Sequence, residues 1–158
     1  MTTAPTTADG YDPSAPHARR FPRVITPAEI DALPRMRFSE GIDQTIFLSR
    51  ERDDARHFRQ GCCWIAADAV TYAWFPANFD EYQFCEEGLV RVNVEDAAGQ
   101  RIVLEAAPGE HIYLPAGFHY ELEATGVPTR FLFSSGPSAR RGISASEYSA
   151  QLIALRGK

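Results

Sequence analysis

Between Ile46 and Phe133 the chain alternates large apolar side chains with polar ones in short runs. These are Thr71-Tyr-Ala-Trp-Phe75, Leu89-Val-Arg-Val-Asn-Val94, Arg101-Ile-Val-Leu104, His111-Ile-Tyr-Leu114 and Arg130-Phe-Leu-Phe133. Gly, Pro, Asn and Asp separate the runs, and short period-two segments at near-regular spacing predict an all-β sandwich or barrel. Asp96-Ala-Ala-Gly99 falls between two runs and reads as a hairpin turn, with Gly99 supplying the positive φ. Outside this region the pattern changes. In Ile25-Thr-Pro-Ala-Glu-Ile30, Thr26 and Glu29 form a capping box, Pro27 suits the first helical position, and Ile25 can staple onto Ile30. Pro34 ends that short helix. Ser144 to Arg156 has a second capping box, Ser144 with Glu147, and an apolar stripe of Tyr148, Leu152 and Leu155, which predicts an amphipathic C-terminal helix. Residues 1–20 carry almost no large apolar side chains and are expected to be disordered. The chain therefore divides into an arm (1–20), an N-terminal helix with an edge segment (21–45), a barrel (46–136) and a linker with its helix (137–158).

The length of 158 residues fits one domain with tails. A net charge of −5 argues against nucleic acid, because phosphate contacts need clustered Lys and Arg. The pairs Arg19-Arg20 and Arg140-Arg141 sit beside Pro, Ser and Ala in the tails and read as solvated flanks. No apolar run reaches membrane-spanning length, and the first ten residues lack the basic start and apolar stretch of a secretory signal. A cytoplasmic protein with no membrane partner is the expectation. Three cysteines, Cys62, Cys63 and Cys85, form no Cys-x-x-Cys pair and read as reduced thiols in the core.

Two segments, Asp80-Glu-Tyr-Gln-Phe-Cys-Glu-Glu-Gly88 and Pro108-Gly-Glu-His-Ile-Tyr-Leu-Pro-Ala-Gly117, lie about twenty residues apart around the hairpin. Together they resemble the two motifs of the cupin superfamily, over roughly residues 60 to 135. Glu81 and Gly88 keep the end of the first motif; Gly109, Pro115 and Gly117 keep the second. The resemblance implies a jelly-roll β-barrel with a ligand pocket inside, and commonly a pair of barrels side by side. It also exposes departures. The two histidine positions of the first motif fall on Trp74 and Pro76, or on Phe75 and Ala77 if the loop is one shorter. The histidine of the second motif falls on Tyr120, with His119 one position early. Strand side chains alternate, so His119 and Tyr120 cannot both point straight inward without a bulge. Only Glu81 and one neighbour remain where a catalytic divalent ion usually takes three protein ligands, so no cofactor is expected. If an ion were held, Glu81 and His119 would hold it, with His57 and His111 in reserve. The Asp80-Glu81 pair, Trp74 and the closing Phe131-Leu-Phe-Ser-Ser-Gly-Pro137 are further similar to the ethanolamine-utilisation and ureidoglycolate-type small cupins, some of which lack the histidine cluster.

If Glu81 points inward, alternation turns Gln83 and Cys85 inward as well, with Tyr72, Trp74, Tyr113 and Tyr120 as candidate walls that would contact a substrate. A carboxylate beside aromatic rings and away from water has a raised pKa, which suits general acid or base work near neutral pH. His119 or Tyr120 is the candidate partner acid. The expected function is a small-molecule enzyme doing metal-independent proton transfer: isomerisation, elimination, epimerisation or cyclisation. One alternative is a binding or sensing cupin without catalysis, in which Glu81 accepts structural hydrogen bonds and Tyr72 and Trp74 are core. Another is the acetate-kinase-like chemistry that the ethanolamine-utilisation resemblance implies, although no Gly-x-x-x-x-Gly-Lys loop is present. Phe38, Ile46, Phe47 and Leu48 form an apolar stretch expected to need a partner surface, and a two-fold homodimer is the simplest way to supply one.

Overall fold

The computed structural model describes residues 23–49, 57–76, 78–95 and 98–137, together with Asp53 and Ala55. Helix α1 (Pro27–Asp31) has the expected capping box, with Thr26 Oγ1 accepting from Glu29 N and Thr26 N donating to Glu29 Oε2 at 2.7 Å. Ten strands follow: β1 (Met36–Ser39), β2 (Ile42–Leu48), β3 (Arg59–Ile65), β4 (Tyr72–Trp74), β5 (Asp80–Glu87), β6 (Val90–Glu95), β7 (Arg101–Ala106), β8 (His111–Leu114), β9 (His119–Glu123) and β10 (Thr129–Gly136). The five runs read from the sequence correspond to β4, β6, β7, β8 and β10. The sheet begins earlier than Ile46, because β1 and the first half of β2 already pair antiparallel.

The strands form two antiparallel sheets, one ordered β1-β2-β3-β10-β5-β8 and the other β4-β9-β6-β7. Among the described residues no closed barrel is found, and of the sandwich or barrel that the pattern predicts these strands form the sandwich. The chain turns from β7 to β8 between the sheets at Pro108-Gly109 without a hydrogen-bonded ladder to bridge them, so the architecture is a sandwich.

Alternation along each strand builds the core. Cys63 and Ile65, Cys85, Ile112 and Leu114, and Phe131 and Phe133 come from one sheet; Trp74, Val90, Val92, Val94, Tyr120 and Leu122 come from the other. Fully burying each such aliphatic or aromatic side chain stabilises the fold by about 1.5–3 kcal/mol. Gly88, in the turn between β5 and β6, has φ 79°, and a Cβ there would lie 2.4 Å from the Pro128 carbonyl oxygen, so both conformation and space require glycine. Gly99 also has positive φ, as the hairpin reading requires.

The apolar stretch expected to need a partner is covered by the chain itself only in part, and Phe38 stays exposed. Phe47 is buried, Ile46 packs on the core, and Phe38 sits edge-on to Tyr72 with ring centroids 5.1 Å apart. The expected N-terminal arm and C-terminal helix lie outside the described residues. No described helix is long and apolar enough to cross a membrane.

Candidate functional site

The centre of the six-stranded sheet carries its polar groups on the inner face. Along β5 the buried positions are Glu81, Gln83 and Cys85, while Asp80 and Tyr82 are exposed. Cross-strand register places Arg59, Ser135, Glu81 and Leu114 in one row, and Ile46, Gly61, Phe133, Gln83 and Ile112 in the next. Ser135 follows Phe131 and Phe133 on the inward positions of β10 and is 2 % exposed. A carboxylate, an amide, a hydroxyl and a guanidinium thus meet at one end of an otherwise apolar interior.

Within this group Gln83 Nε2 donates to Glu81 Oε1 at 2.8 Å. Arg59 Nε donates to Ser135 Oγ at 2.8 Å, and the guanidinium carbon lies 5.4 Å from the ring centroid of buried Phe79. Burial raises the Glu81 pKa above the ordinary glutamate range, partly opposed by the Gln83 hydrogen bond and the Arg59 charge. Two buried polar atoms in the interior have no hydrogen-bond partner among the described residues: Gln83 Oε1, an acceptor, and Trp74 Nε1, a donor. From the opposite sheet, Trp74 pairs with Tyr120 in register, their rings 5.4 Å apart, and Tyr72 stacks on Trp74. Burial first, and the Glu81 charge next, push the Tyr120 phenol well up, so it is a neutral hydrogen-bond donor.

The second motif forms a rim held from three sides. Asp80 accepts from Ala116 N at 2.8 Å and from Tyr113 Oη at 2.9 Å, Tyr120 Oη donates to the Pro115 carbonyl at 2.5 Å, and Gly117 N donates to the Pro76 carbonyl at 2.9 Å. Motif residues therefore shape the rim by their own hydrogen bonds.

Glu81, Gln83, Cys85, Tyr72, Trp74 and Tyr120 face inward as read from the sequence. Cys85 sits deeper along β5, its thiol donating to the Glu87 carbonyl and pushed up by burial. Tyr113, expected among the walls, lies on the outer face of β8 and is 61 % exposed, because Ile112 and Leu114 take the inward positions. His119 occupies the face of β9 opposite Tyr120, opposite Glu95 in register and against the Phe75 ring at 4.7 Å. The pair named for an ion, Glu81 and His119, is thereby split between two faces. His57 is exposed, and His111 stands on the outer face, hydrogen-bonded to Tyr82 and packed on Phe84. Among the described residues no three His, Cys, Asp or Glu side chains converge, so they do not fit a three-ligand ion. Sequence reading missed Arg59, Ser135 and Cys63. Cys63 lies within electrostatic reach of Glu81, and its thiol is pushed well up by burial.

No protein-family model matches the sequence, and no curated protein matches it. Solved structures show that the chain has the cupin fold. A mutant of Bacillus subtilis oxalate decarboxylase superposes with a TM-score of 0.67 at 15% identity, over 89% of this chain and 39% of that one. A second oxalate decarboxylase structure gives 0.66 at 20% identity, over 77% and 32%. The chain spans about a third of the length of these proteins. The EutQ protein of Clostridium difficile is matched at a TM-score of 0.48 and 18% identity, over 61% and 63%, too loose a superposition to bear on function.

Proposed function

We propose that this cupin-fold chain is a small-molecule enzyme in which Glu81 gives and takes a proton inside the sandwich, without a metal ion. One observation carries the reading: a buried carboxylate with a raised pKa shares the space between the sheets with Gln83 Oε1 and Trp74 Nε1, two buried polar atoms without a hydrogen-bond partner among the described residues. A buried polar group left unsatisfied costs about 1–3 kcal/mol, so each of the two calls for a partner that a ligand can supply. Gln83 fixes the carboxylate, and Tyr120, tied to Pro115, sets the height of the rim above it. A carboxyl group whose pKa is moved toward neutrality can accept a proton from one carbon or oxygen and return it to another, as isomerisation, epimerisation, elimination or cyclisation requires. The oxalate decarboxylases share only the fold at this identity, and their reaction is not assigned here.

Glu81→Gln tests the proposal in a screen of small metabolites that monitors both turnover and exchange of substrate hydrogens with deuterated solvent. Loss of exchange with retained ligand binding supports it. Unchanged turnover, or a purified protein whose activity tracks stoichiometric transition metal, refutes it; binding without turnover in wild type and variant alike identifies a sensing protein.

A further inference from the structure

We propose that Arg59 is the anion-recognition residue of this interior and that the ligand is a small organic acid whose carboxylate sits in the Arg59 fork. The inference rests on the ligand-binding reading of the Glu81 site and specifies its substrate class.

Arg59 lies in the same cross-strand row as Glu81, with Ser135 between them. Its Nε is spent on Ser135, and its guanidinium carbon lies 5.4 Å from the Phe79 ring centroid. Among the described residues Ser135 is its only hydrogen-bond partner and no carboxylate lies within ion-pair distance. Glu81 is close enough to feel the charge, yet its hydrogen bond is to Gln83. A half-buried guanidinium normally has an acid in its fork, because the two parallel N–H groups match a carboxylate and desolvated charge is costly when unpaired. Among the described residues nothing pairs with the two terminal nitrogens, which leaves them for a ligand.

The nearby unpartnered groups narrow the ligand further. Gln83 Oε1 needs a donor and Trp74 Nε1 needs an acceptor, and both are nine-tenths or more buried. A hydroxyl can donate to the first or accept from the second, so a short hydroxy acid is the ligand class to test first. The ligand carboxylate and Glu81 would repel if both were ionised at close range, so binding favours the protonated form of Glu81. The site thus selects an acid and loads the proton that Glu81 is to pass.

Calorimetry with lactate, malate and succinate, and with the neutral isosteres lactamide and succinamide, tests this. The wild-type chain is expected to bind at least one acid and neither amide. Arg59→Gln should weaken the acid about tenfold or more, the size of a charge-assisted hydrogen bond. Arg59→Lys keeps the charge but loses the fork and should fall between, which holds the test open if Arg59→Gln does not fold. Glu81→Gln should bind the acid as tightly as wild type or more so, and its affinity should lose the pH dependence. No binding of any acid, equal binding of acid and amide, or unchanged affinity in the Arg59 variants overturns the proposal. Acid affinity that depends on Arg59 while Glu81→Gln leaves hydrogen exchange intact instead overturns only the catalytic role of Glu81.

Discussion

Gly61 lies in the middle of β3 on the inner face, between Ile46 of β2 and Phe133 of β10. Its lack of a side chain is occupied space: a Cβ would stand 2.3 Å from Phe133 Cζ, 2.6 Å from Cε1 and 2.6 Å from the Thr45 carbonyl oxygen. Ordinary carbon contacts are about 3.5–4.0 Å, so Gly61→Ala forces the ring aside by more than about 1 Å, and the Thr45 backbone cannot follow. Overpacking of this kind costs about 1–3 kcal/mol. For a sandwich of this size that is a fall in Tm of roughly 4–12 °C. Phe133 neighbours Gln83 in the row, so displacing its ring should also weaken ligand binding without touching a polar group. Thermal and urea melts measure the first effect and calorimetry the second. The double variant Gly61→Ala/Phe133→Leu should recover part of the loss, because the two sites share one volume. A single variant as stable as wild type, or a double variant whose losses simply add, would refute this account of the row.

Burial raises the Glu81 pKa, so in the folded chain this group keeps its proton at a pH where the unfolded chain has released it. Its contribution to stability is therefore full below the ordinary glutamate range and is lost as pH rises through the raised value; urea melts across about pH 4–8 should show this slope in wild type and not in Glu81→Gln. Gly88→Ala places a left-handed residue against the Pro128 carbonyl and should cost about 2 kcal/mol or more, read as a lower urea midpoint at unchanged slope. Asp80→Ala removes the acceptor for Ala116 N and Tyr113 Oη, and should speed hydrogen exchange at Ala116 while leaving the core amides of β10 protected.

The strands were legible because their apolar residues alternate within short windows, and β8 coincides residue for residue with the run His111 to Leu114. The inward set on β5 followed from Glu81 alone, since a period of two fixes Gln83 and Cys85 once one of them is known. Tyr113 was misplaced for the same reason in reverse: nothing local states which face of β8 is the core, and Ile112 and Leu114 decide it. Arg59 and Ser135 could not be found by any window. They are 76 positions apart and meet only because β10 enters between β3 and β5, a register set by the whole sheet. The pattern left sandwich and barrel both open, because closure depends on whether edge strands meet, and edge strands have no local mark of their own.

That placement of β10 also bears on how the molecule is made. The strand at Thr129–Gly136 is the last of the ten to leave the ribosome, yet it pairs with β3 on one side and β5 on the other. Until it arrives, the inner half of the larger sheet is two separate pieces with unpaired edges. High sequence separation between partners slows folding, and open edges invite pairing with other chains during the wait. The fold of the row that holds Arg59, Ser135 and Glu81 therefore completes in one late, cooperative step, which makes truncations before Thr129 aggregation-prone rather than merely less stable.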